Sequence, residues 1–271
     1  MKSQISEKQQ FYHLEEGKPM INLDDQVAII TGGSRGIGAA TAILFAKAGA
    51  NILLTYVSNE KAAKEIQEEV IALGRKCIIL KANVAKAKNA KKVIEKAMQK
   101  FGQIDILVNN AGIWTYGEMG KMSEETWNET IETNLNGTFH MINAVVPYMK
   151  KRHFGKIINI SSTAGQRGEA FHSHYAASKG AVISLTKSLS TELGGYNINV
   201  NSVAPGWVDT DLSADVLRNP KLVDDVRKGI PIGRIPTADD IAGPILFLAS
   251  DLSRHITGEI LNVNGGSVLV G

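Results

Sequence analysis

Tyr175 and Lys179 stand four residues apart at the start of a segment with helical spacing, so their side chains share one helix face. Reduction of a carbonyl needs a proton donor for the nascent alkoxide, and a tyrosine with a pKa of about 10 matches neutral pH poorly. A neighbouring ammonium stabilises the phenolate and lowers that pKa. A serine hydroxyl nearby, such as that of Ser161 or Ser162, can hydrogen-bond the same substrate oxygen. These residue types predict proton transfer to a carbonyl oxygen.

A glycine-rich turn follows the first predicted strand, residues 27–30, and opens the first predicted helix. It reads Thr31-Gly-Gly-Ser-Arg-Gly-Ile-Gly38. A pyrophosphate needs backbone N–H groups at a helix N-terminus with no side chain in the way, which glycines allow. The spacing G-x-x-x-G-x-G differs from the usual G-x-G-x-x-G. Its place between strand and helix nevertheless favours a dinucleotide site over a purely structural turn.

The second predicted strand indicates which dinucleotide is bound. NAD sites usually carry Asp or Glu at the end of this strand, to hold the ribose hydroxyls. Here the chain reads Leu54-Thr-Tyr-Val-Ser58, with no carboxylate before Glu60. Arg35, inside the glycine turn, can reach a 2′-phosphate. Both features favour NADP(H); the alternative is that Arg35 is only a solvated loop residue.

The elements that must position these residues alternate along the chain. Short apolar runs at 27–30, 52–54, 77–80, 104–108, 156–160, 198–203 and 260–263 predict strands, with helical periodicity between them. We predict an α/β fold: a single-domain, Rossmann-type, doubly wound parallel sheet of seven strands with helices on both faces. Asn109-Asn-Ala-Gly112 and Ser161-Ser162 then fall at the carboxyl edge of the sheet, where such folds bind ligands.

The domain organisation follows from the same pattern. Residues 1–22 carry little periodicity and are interpreted as an N-terminal extension, and residues 23–271 as one dinucleotide-binding and catalytic domain. The segment 204–236 has four prolines and little patterning, which is typical of a substrate-binding loop or lid.

Composition narrows the class of protein. The 271 residues carry 30 Lys+Arg and 27 Asp+Glu, a net charge of +3, which argues against a nucleic-acid partner. No apolar run is long enough for a membrane span, and the N-terminus lacks a secretory signal. The single cysteine, Cys77, lies in an apolar run and is interpreted as buried packing in a reducing compartment. We expect a cytoplasmic protein.

No metal site is predicted. His172 and His174 lie beside Tyr175, but no carboxylate or thiol stands at ligand spacing from them. We expect both histidines to lie on a loop and to line the substrate entrance or face solvent.

The chain resembles a classical short-chain dehydrogenase/reductase. The resemblance rests on Thr31–Gly38, Asn109–Gly112, Asn134, Ser162, Tyr175-Ala-Ala-Ser-Lys179 and Pro205-Gly-Trp-Val-Asp-Thr210, and it covers the chain from about Leu23 onward. Within the family it is most similar to the 3-oxoacyl-acyl-carrier-protein reductases, through the glycine turn and Ile256–Gly266.

The resemblance implies a role for each matching residue. Ser162 orients the substrate, Tyr175 is the general acid/base, Lys179 binds the nicotinamide ribose and tunes Tyr175, and Asn134 holds a water in the proton relay. The implied NADP(H) site comprises Gly32, Ser34, Arg35, Gly36, Ile37, Gly38, Tyr56, Asn83, Val84, Asn110, Ala111, Gly112, Tyr175, Lys179, Pro205, Gly206, Val208 and Thr210. Asn83-Val84 departs from the Asp-Val usual in the family, although an amide can still hydrogen-bond adenine. A homotetramer is also implied.

These observations favour a reductase that converts a ketone to a secondary alcohol, with 3-oxoacyl thioesters as the leading substrates. The substrate is a small-molecule or carrier-protein-linked carbonyl compound. One alternative is an NAD(P)-dependent alcohol or sugar dehydrogenase of the same family. Another is a dinucleotide-binding sensor without catalysis, which has no need for Ser162, Tyr175, Lys179 and Asn134 together.

Overall fold

Seven apolar runs form one parallel sheet in the computed structural model, which describes residues 20–270. The strands are β1 (Val27–Ile30), β2 (Asn51–Tyr56), β3 (Cys77–Lys81), β4 (Ile106–Asn109), β5 (Gly155–Ile160), β6 (Ile198–Pro205) and β7 (Ile260–Val263). They are ordered β3-β2-β1-β4-β5-β6-β7 and every neighbouring pair is parallel. The order reverses direction between β1 and β4, which creates the crevice in which doubly wound sheets bind ligands.

Helices connect the strands. They are α1 (Gly36–Lys47), α2 (Glu60–Ala72), α3 (Ala87–Phe101), α4 (Glu124–Ile131), α5 (Gly137–Arg152), α6 (Ala164–Arg167), α7 (Ser173–Leu193), α8 (Ala214–Leu217), α9 (Pro220–Lys228) and α10 (Ala238–Ala249). Side chains cap two of these helices at the N-terminus: the Ser123 hydroxyl accepts from the Thr126 N–H before α4, and Thr237 forms a capping box with Asp240 at α10.

The core consists of two apolar clusters, one on each face of the sheet. Because successive strand residues point to opposite faces, Ile30 packs with α1, α2 and α10, whereas Ile29 packs with α3 and α5. Cys77 is buried in the first cluster, and burial raises the pKa of its thiol to about 12. The predicted seven-stranded, doubly wound fold is confirmed, and Cys77 packs in the core as expected.

Asn134 lies in a π-helical turn, Glu132–Asn136, that separates α4 from α5. Two local predictions were wrong or incomplete. The segment 204–236 is not structureless, since it contains the end of β6, a 3-10 turn and the helices α8 and α9. His174 lies inside α7 and is fully buried, so it neither belongs to a loop nor faces solvent.

Two further points concern the N-terminal boundary of the domain and the character of its helices. The extension predicted over residues 1–22 falls outside the described residues except for its last three, so its boundary stays a prediction. Among residues 20–270, no helix is both long and apolar enough to cross a membrane.

Candidate active site

The glycine turn leads from β1 into the N-terminus of α1. Arg35 is the N-cap residue, and in the described part of the chain this end has no side-chain capping bond and no acidic residue in its first turn. The first N–H groups of a helix have no partner within the helix, so they are available to an anion. Gly32 and Gly36 have φ values of +63° and +53°, which favour glycine. The turn is therefore suited to a pyrophosphate.

Thr31 and Asn110 hold this turn against the end of β4. The Thr31 hydroxyl accepts hydrogen bonds from the backbone N–H groups of Asn110 and Ala111, both at 3.0 Å. The Asn110 amide donates to the carbonyl oxygens of Thr31 and Gly32, also at 3.0 Å. A Cβ on Gly38 would lie 2.4 Å from the Gly32 oxygen, so this position has no room for a side chain. Thr31 therefore holds the turn in place. The predicted motif contained this residue but gave it no role of its own.

A cleft of about 840 Å³, its open mouth included, lies at the carboxyl edge of the sheet. Ten of the residues predicted for the site line it: Ile37, Asn110, Gly112, Ser162, Tyr175, Lys179, Pro205, Gly206, Val208 and Thr210. The others do not line this cleft: Gly32, Ser34, Arg35, Gly36, Gly38, Tyr56, Asn83, Val84, Ala111 and Asn134. The structure thus gathers the predicted serine, tyrosine and lysine into one cavity beside the glycine turn.

Tyr175 and Ser162 form the polar centre of the cleft. Both side chains are buried and line the cleft, and the Ser162 hydroxyl lies close enough to the phenol to affect its pKa. Burial raises the pKa of Tyr175 to about 12; the Ser162 hydroxyl lowers it in part, and the charge of Glu169 raises it. Burial has the largest effect on this pKa, and the expected lowering by Lys179 stays a prediction.

Lys179 is buried one helical turn after Tyr175. Its ammonium donates a 2.7 Å hydrogen bond to the carbonyl of Ile160, at the end of β5. Burial lowers the pKa of Lys179 to about 8. A buried ammonium needs hydrogen-bond acceptors, and its three N–H groups can donate to more than the Ile160 carbonyl. Because Lys179 lines the cleft, it can bind oxygen atoms of a ligand there.

Asn134 is buried beneath this centre, in the π-helical turn. Its Oδ1 accepts from the N–H of Ile113 at 2.8 Å, and its Nδ2 donates to the Ile113 carbonyl at 3.0 Å and to the Ser178 hydroxyl at 3.1 Å. Both amide hydrogens are thus used within the protein, and only a second lone pair on Oδ1 is left for a water. Its role in a proton relay stays a prediction. The π-turn itself is a feature that often marks functional sites.

The residues predicted to hold the adenosine end lie around the N-terminus of α1 and the ends of β2 and β3. Arg35 is exposed and forms an ion pair with Asp211 at 3.5 Å. Tyr56 is buried, and its pKa is raised by that burial and by Glu60. Asn83 accepts from the Ala85 N–H at 3.0 Å, and Val84 is buried against the position of Gly137. Ser34 is partly buried in the turn.

Four residues line the cleft that were not named individually for the site: Trp114, Glu169, Trp207 and Leu212. Trp207 and Leu212 lie in the segment 204–236, which was predicted to bind the substrate. The signal was present for the tryptophans, since Trp114 lies two residues after the Asn-Asn-Ala-Gly segment and Trp207 directly follows Pro205-Gly206. Among residues 20–270, no cluster of His, Cys, Asp and Glu has the geometry of a metal site.

Comparisons with known proteins agree with this geometry. Residues 32–267 match a family model described as enoyl-(acyl carrier protein) reductase. A 3-oxoacyl-[acyl-carrier-protein] reductase of Thermotoga maritima is 40% identical over 249 residues, covering 92% of this chain and 100% of the relative. The corresponding protein of Chlamydia muridarum is 41% identical over 247 residues, 90% of this chain and 98% of its own.

A solved structure gives the same result for the fold. A protein of Sinorhizobium meliloti 1021, assigned to the short-chain alcohol dehydrogenases, superposes with a TM-score of 0.88 at 31% identity. The match covers 92% of this chain and 98% of that one.

Proposed function

The chain belongs to the short-chain dehydrogenase/reductase family, and we propose that it is an NADP(H)-dependent reductase that converts a ketone into a secondary alcohol. One observation carries the proposal: Ser162, Tyr175 and Lys179 meet in a single cleft beside the uncapped N-terminus of α1. A proton donor, an oxygen-binding hydroxyl and a cation are the groups that carbonyl reduction needs.

The donor set fits a nicotinamide dinucleotide. The free N–H groups at the start of α1 suit its pyrophosphate, and Lys179 suits the ribose hydroxyls near the nicotinamide. Pro205, Gly206, Val208 and Thr210 form one wall of the cleft and would flank the nicotinamide ring. Arg35, exposed at the turn and with no acidic residue at the end of β2 to compete for the ribose, would bind a 2′-phosphate. When bound, the reduced nicotinamide supplies a hydride to the carbonyl carbon.

The chain's own groups handle the oxygen and the proton. The Ser162 hydroxyl donates a hydrogen bond to the carbonyl oxygen and polarises it. The Tyr175 phenol, with a pKa of about 12, is protonated at neutral pH and gives its proton to the same oxygen. The Lys179 ammonium favours the phenolate that remains, and Asn134 keeps the backbone around Ile113 in place beside it.

The leading substrate is a 3-oxoacyl thioester. The support for this finer assignment is the similarity, at about 40% identity over nearly the whole chain, to 3-oxoacyl-[acyl-carrier-protein] reductases. An alcohol dehydrogenase of the same family is the alternative that the Sinorhizobium meliloti structure supports. A sensor without catalysis is the alternative of another class, and the convergence of Ser162, Tyr175 and Lys179 argues against it.

The test is an assay of NADPH oxidation with acetoacetyl-CoA and a panel of ketones, run in parallel with NADH. We expect turnover with NADPH in the wild type and a loss of at least about 100-fold in kcat for Tyr175→Phe, since the phenol is the proton donor. Tyr196→Phe, at an exposed tyrosine, is the matched control and should behave as wild type. Full activity in Tyr175→Phe would exclude this mechanism. Tight NADPH binding without turnover of any ketone would establish the sensor.

A further inference from the structure

Two segments run beside each other at the catalytic centre: the loop residues 113–117, and residues 171–174, which include the first two residues of α7. Together we call them the clasp. The first segment directly follows Gly112 and the second directly precedes Tyr175. They are joined as a short parallel bridge in which the Gly117 N–H donates a 2.8 Å hydrogen bond to the Phe171 carbonyl. The clasp is therefore continuous along the chain with Gly112 and with Tyr175, which both line the cleft.

Aromatic pairs hold the clasp together. The indole of Trp114 stacks on the imidazole of His172, with ring centroids 4.1 Å apart and an interplanar angle of 5°. Nearer the surface, Tyr116 stacks on Phe171 with centroids 5.7 Å apart. Each such pair adds about 0.5–1.5 kcal/mol beyond the area it buries. Trp114 is therefore held by neighbours on its own side of the cleft before any substrate enters.

A hydrogen bond and close packing hold the clasp in place. The buried His174 shares a 2.9 Å hydrogen bond with the Thr115 hydroxyl through its Nε2. A Cβ on Gly117 would lie 2.6 Å from Met122 and 3.1 Å from His174, so the bridge has no room to shift inward. These contacts fix the position of Trp114 relative to Tyr175 before a substrate binds.

Trp114 meets a second indole across the cleft. The rings of Trp114 and Trp207 are 5.6 Å apart at 81°, an edge-to-face pair, and both line the cleft that contains Ser162 and Tyr175. Both tryptophans are only partly buried, so each still presents apolar ring surface to the cleft. The Trp114 N–H donates to the Glu169 carboxylate at 3.4 Å, so the polar atom of this indole already has a partner within the protein.

We propose that the two tryptophans form a preorganised subsite for an aromatic ring attached to the substrate carbonyl, so that aryl-substituted 3-oxoacyl thioesters and aryl ketones are the preferred substrates. The inference rests on the proposed reductase function and specifies its substrate class. Two indoles at nearly a right angle offer a flat ring stacking and edge contacts together, whereas a linear alkyl chain makes only dispersion contacts with them. Rigid walls also reduce the entropy lost on binding.

A pair of thioesters that differ only at this subsite tests the inference. Acetoacetyl-CoA carries a methyl group on the reacting carbonyl, and benzoylacetyl-CoA carries a phenyl group. With wild-type protein and saturating NADPH, we expect a kcat/KM about tenfold higher for the phenyl compound, chiefly through a lower KM. Trp207→Leu and Trp114→Leu should remove this preference. Trp207→Phe, which keeps a ring, should retain most of it.

Trp127→Leu is the matched control, because Trp127 lies on α4 and does not line the cleft. It should keep the tenfold ratio, and circular dichroism identifies any variant that does not fold. Turnover of both thioesters at equal rates, or a preference that survives in both Leu variants, would overturn the subsite and leave the reductase intact. Turnover of neither thioester, nor of any ketone, would overturn the proposed function as well.

Discussion

The ammonium of Lys179 lies 5.7 Å from the centre of the Tyr175 ring. This ammonium donates a hydrogen bond to the Ile160 carbonyl, and burial keeps the phenol protonated, with a pKa of about 12. The two residues share a helix face, as their spacing requires, but they are not in direct hydrogen-bond contact. A lowering of the Tyr175 pKa by Lys179 would therefore act through the charge of the ammonium and not through a direct hydrogen bond.

Lys179 should set the alkaline limit of the reductase reaction. Its pKa is lowered to about 8 by burial, so the ammonium is present below that pH and is lost as the pH rises through it. We expect kcat/KM, which reports on the free enzyme, to fall above about pH 8. Lys179→Met should reduce kcat/KM at pH 7 by about 100-fold or more and remove this limb from the profile. A wild-type profile that is flat from pH 7 to about 10 would contradict the assignment.

The close approach of Gly38 to the glycine turn should make cofactor binding intolerant of a single methyl group. A Cβ there would lie 2.4 Å from the Gly32 oxygen and 2.6 Å from the Asn110 amide. Gly38→Ala is expected to weaken NADPH binding by more than about tenfold, measured by the fluorescence of the bound nicotinamide, because the turn must move. Gly243→Ala in α10 is the control: apart from its chain neighbours and its own helix backbone, no atom of residues 20–270 lies within 4 Å of the added Cβ, and binding should not change. Equal affinities in the two variants would exclude a tight turn as the cofactor site.

Arg35 should decide between the two nicotinamide dinucleotides. Its guanidinium is exposed and paired only loosely with Asp211, at 3.5 Å, so a 2′-phosphate can displace that carboxylate. Arg35→Ala should raise the KM for NADPH by about tenfold and leave that for NADH within about twofold. Asp211→Asn should act in the opposite direction on NADPH alone, since it frees the guanidinium. An equal effect of Arg35→Ala on both cofactors would show that Arg35 does not read the 2′-phosphate.

Asp105 should be a large contributor to stability at the opposite end of the sheet. Its buried carboxylate accepts hydrogen bonds from the Val27 N–H at 2.8 Å and the Gln103 amide at 2.9 Å, and pairs with Arg152 at 2.7 Å. Asp105→Ala is expected to lower the free energy of unfolding by about 3 kcal/mol, measured by urea denaturation, because these donors lose their acceptor. The exposed pair Asp224–Arg227 supplies the comparison: Asp224→Ala should cost less than about 1 kcal/mol. Similar losses of unfolding free energy in both variants would show that the buried contacts of Asp105 contribute no more to stability than an exposed ion pair.

The sequence by itself determined those features that depend on local periodicity. Alternating apolar runs and helical stripes were sufficient for the order of the seven strands along the chain. The spacing of Tyr175 and Lys179 placed both on one helix face because 3.6 residues complete a turn. The glycine turn and the strand ends that carry Asn110 and Ser162 could be predicted for the same reason: each depends on a few neighbouring residues.

Only the tertiary structure decided what depends on contacts between distant segments. The burial that raises the pKa of Tyr175 comes from the whole cleft, not from the helix that carries the residue. The same holds for the attachment of Asn134 to Ile113 and for the meeting of Trp114 with Trp207 from loops after β4 and β6. Local periodicity carries no information about which loops converge, because that depends on the packing of the complete sheet and its helices. The reacting groups were therefore evident from the sequence, whereas the shape and electrostatics of their cleft were not.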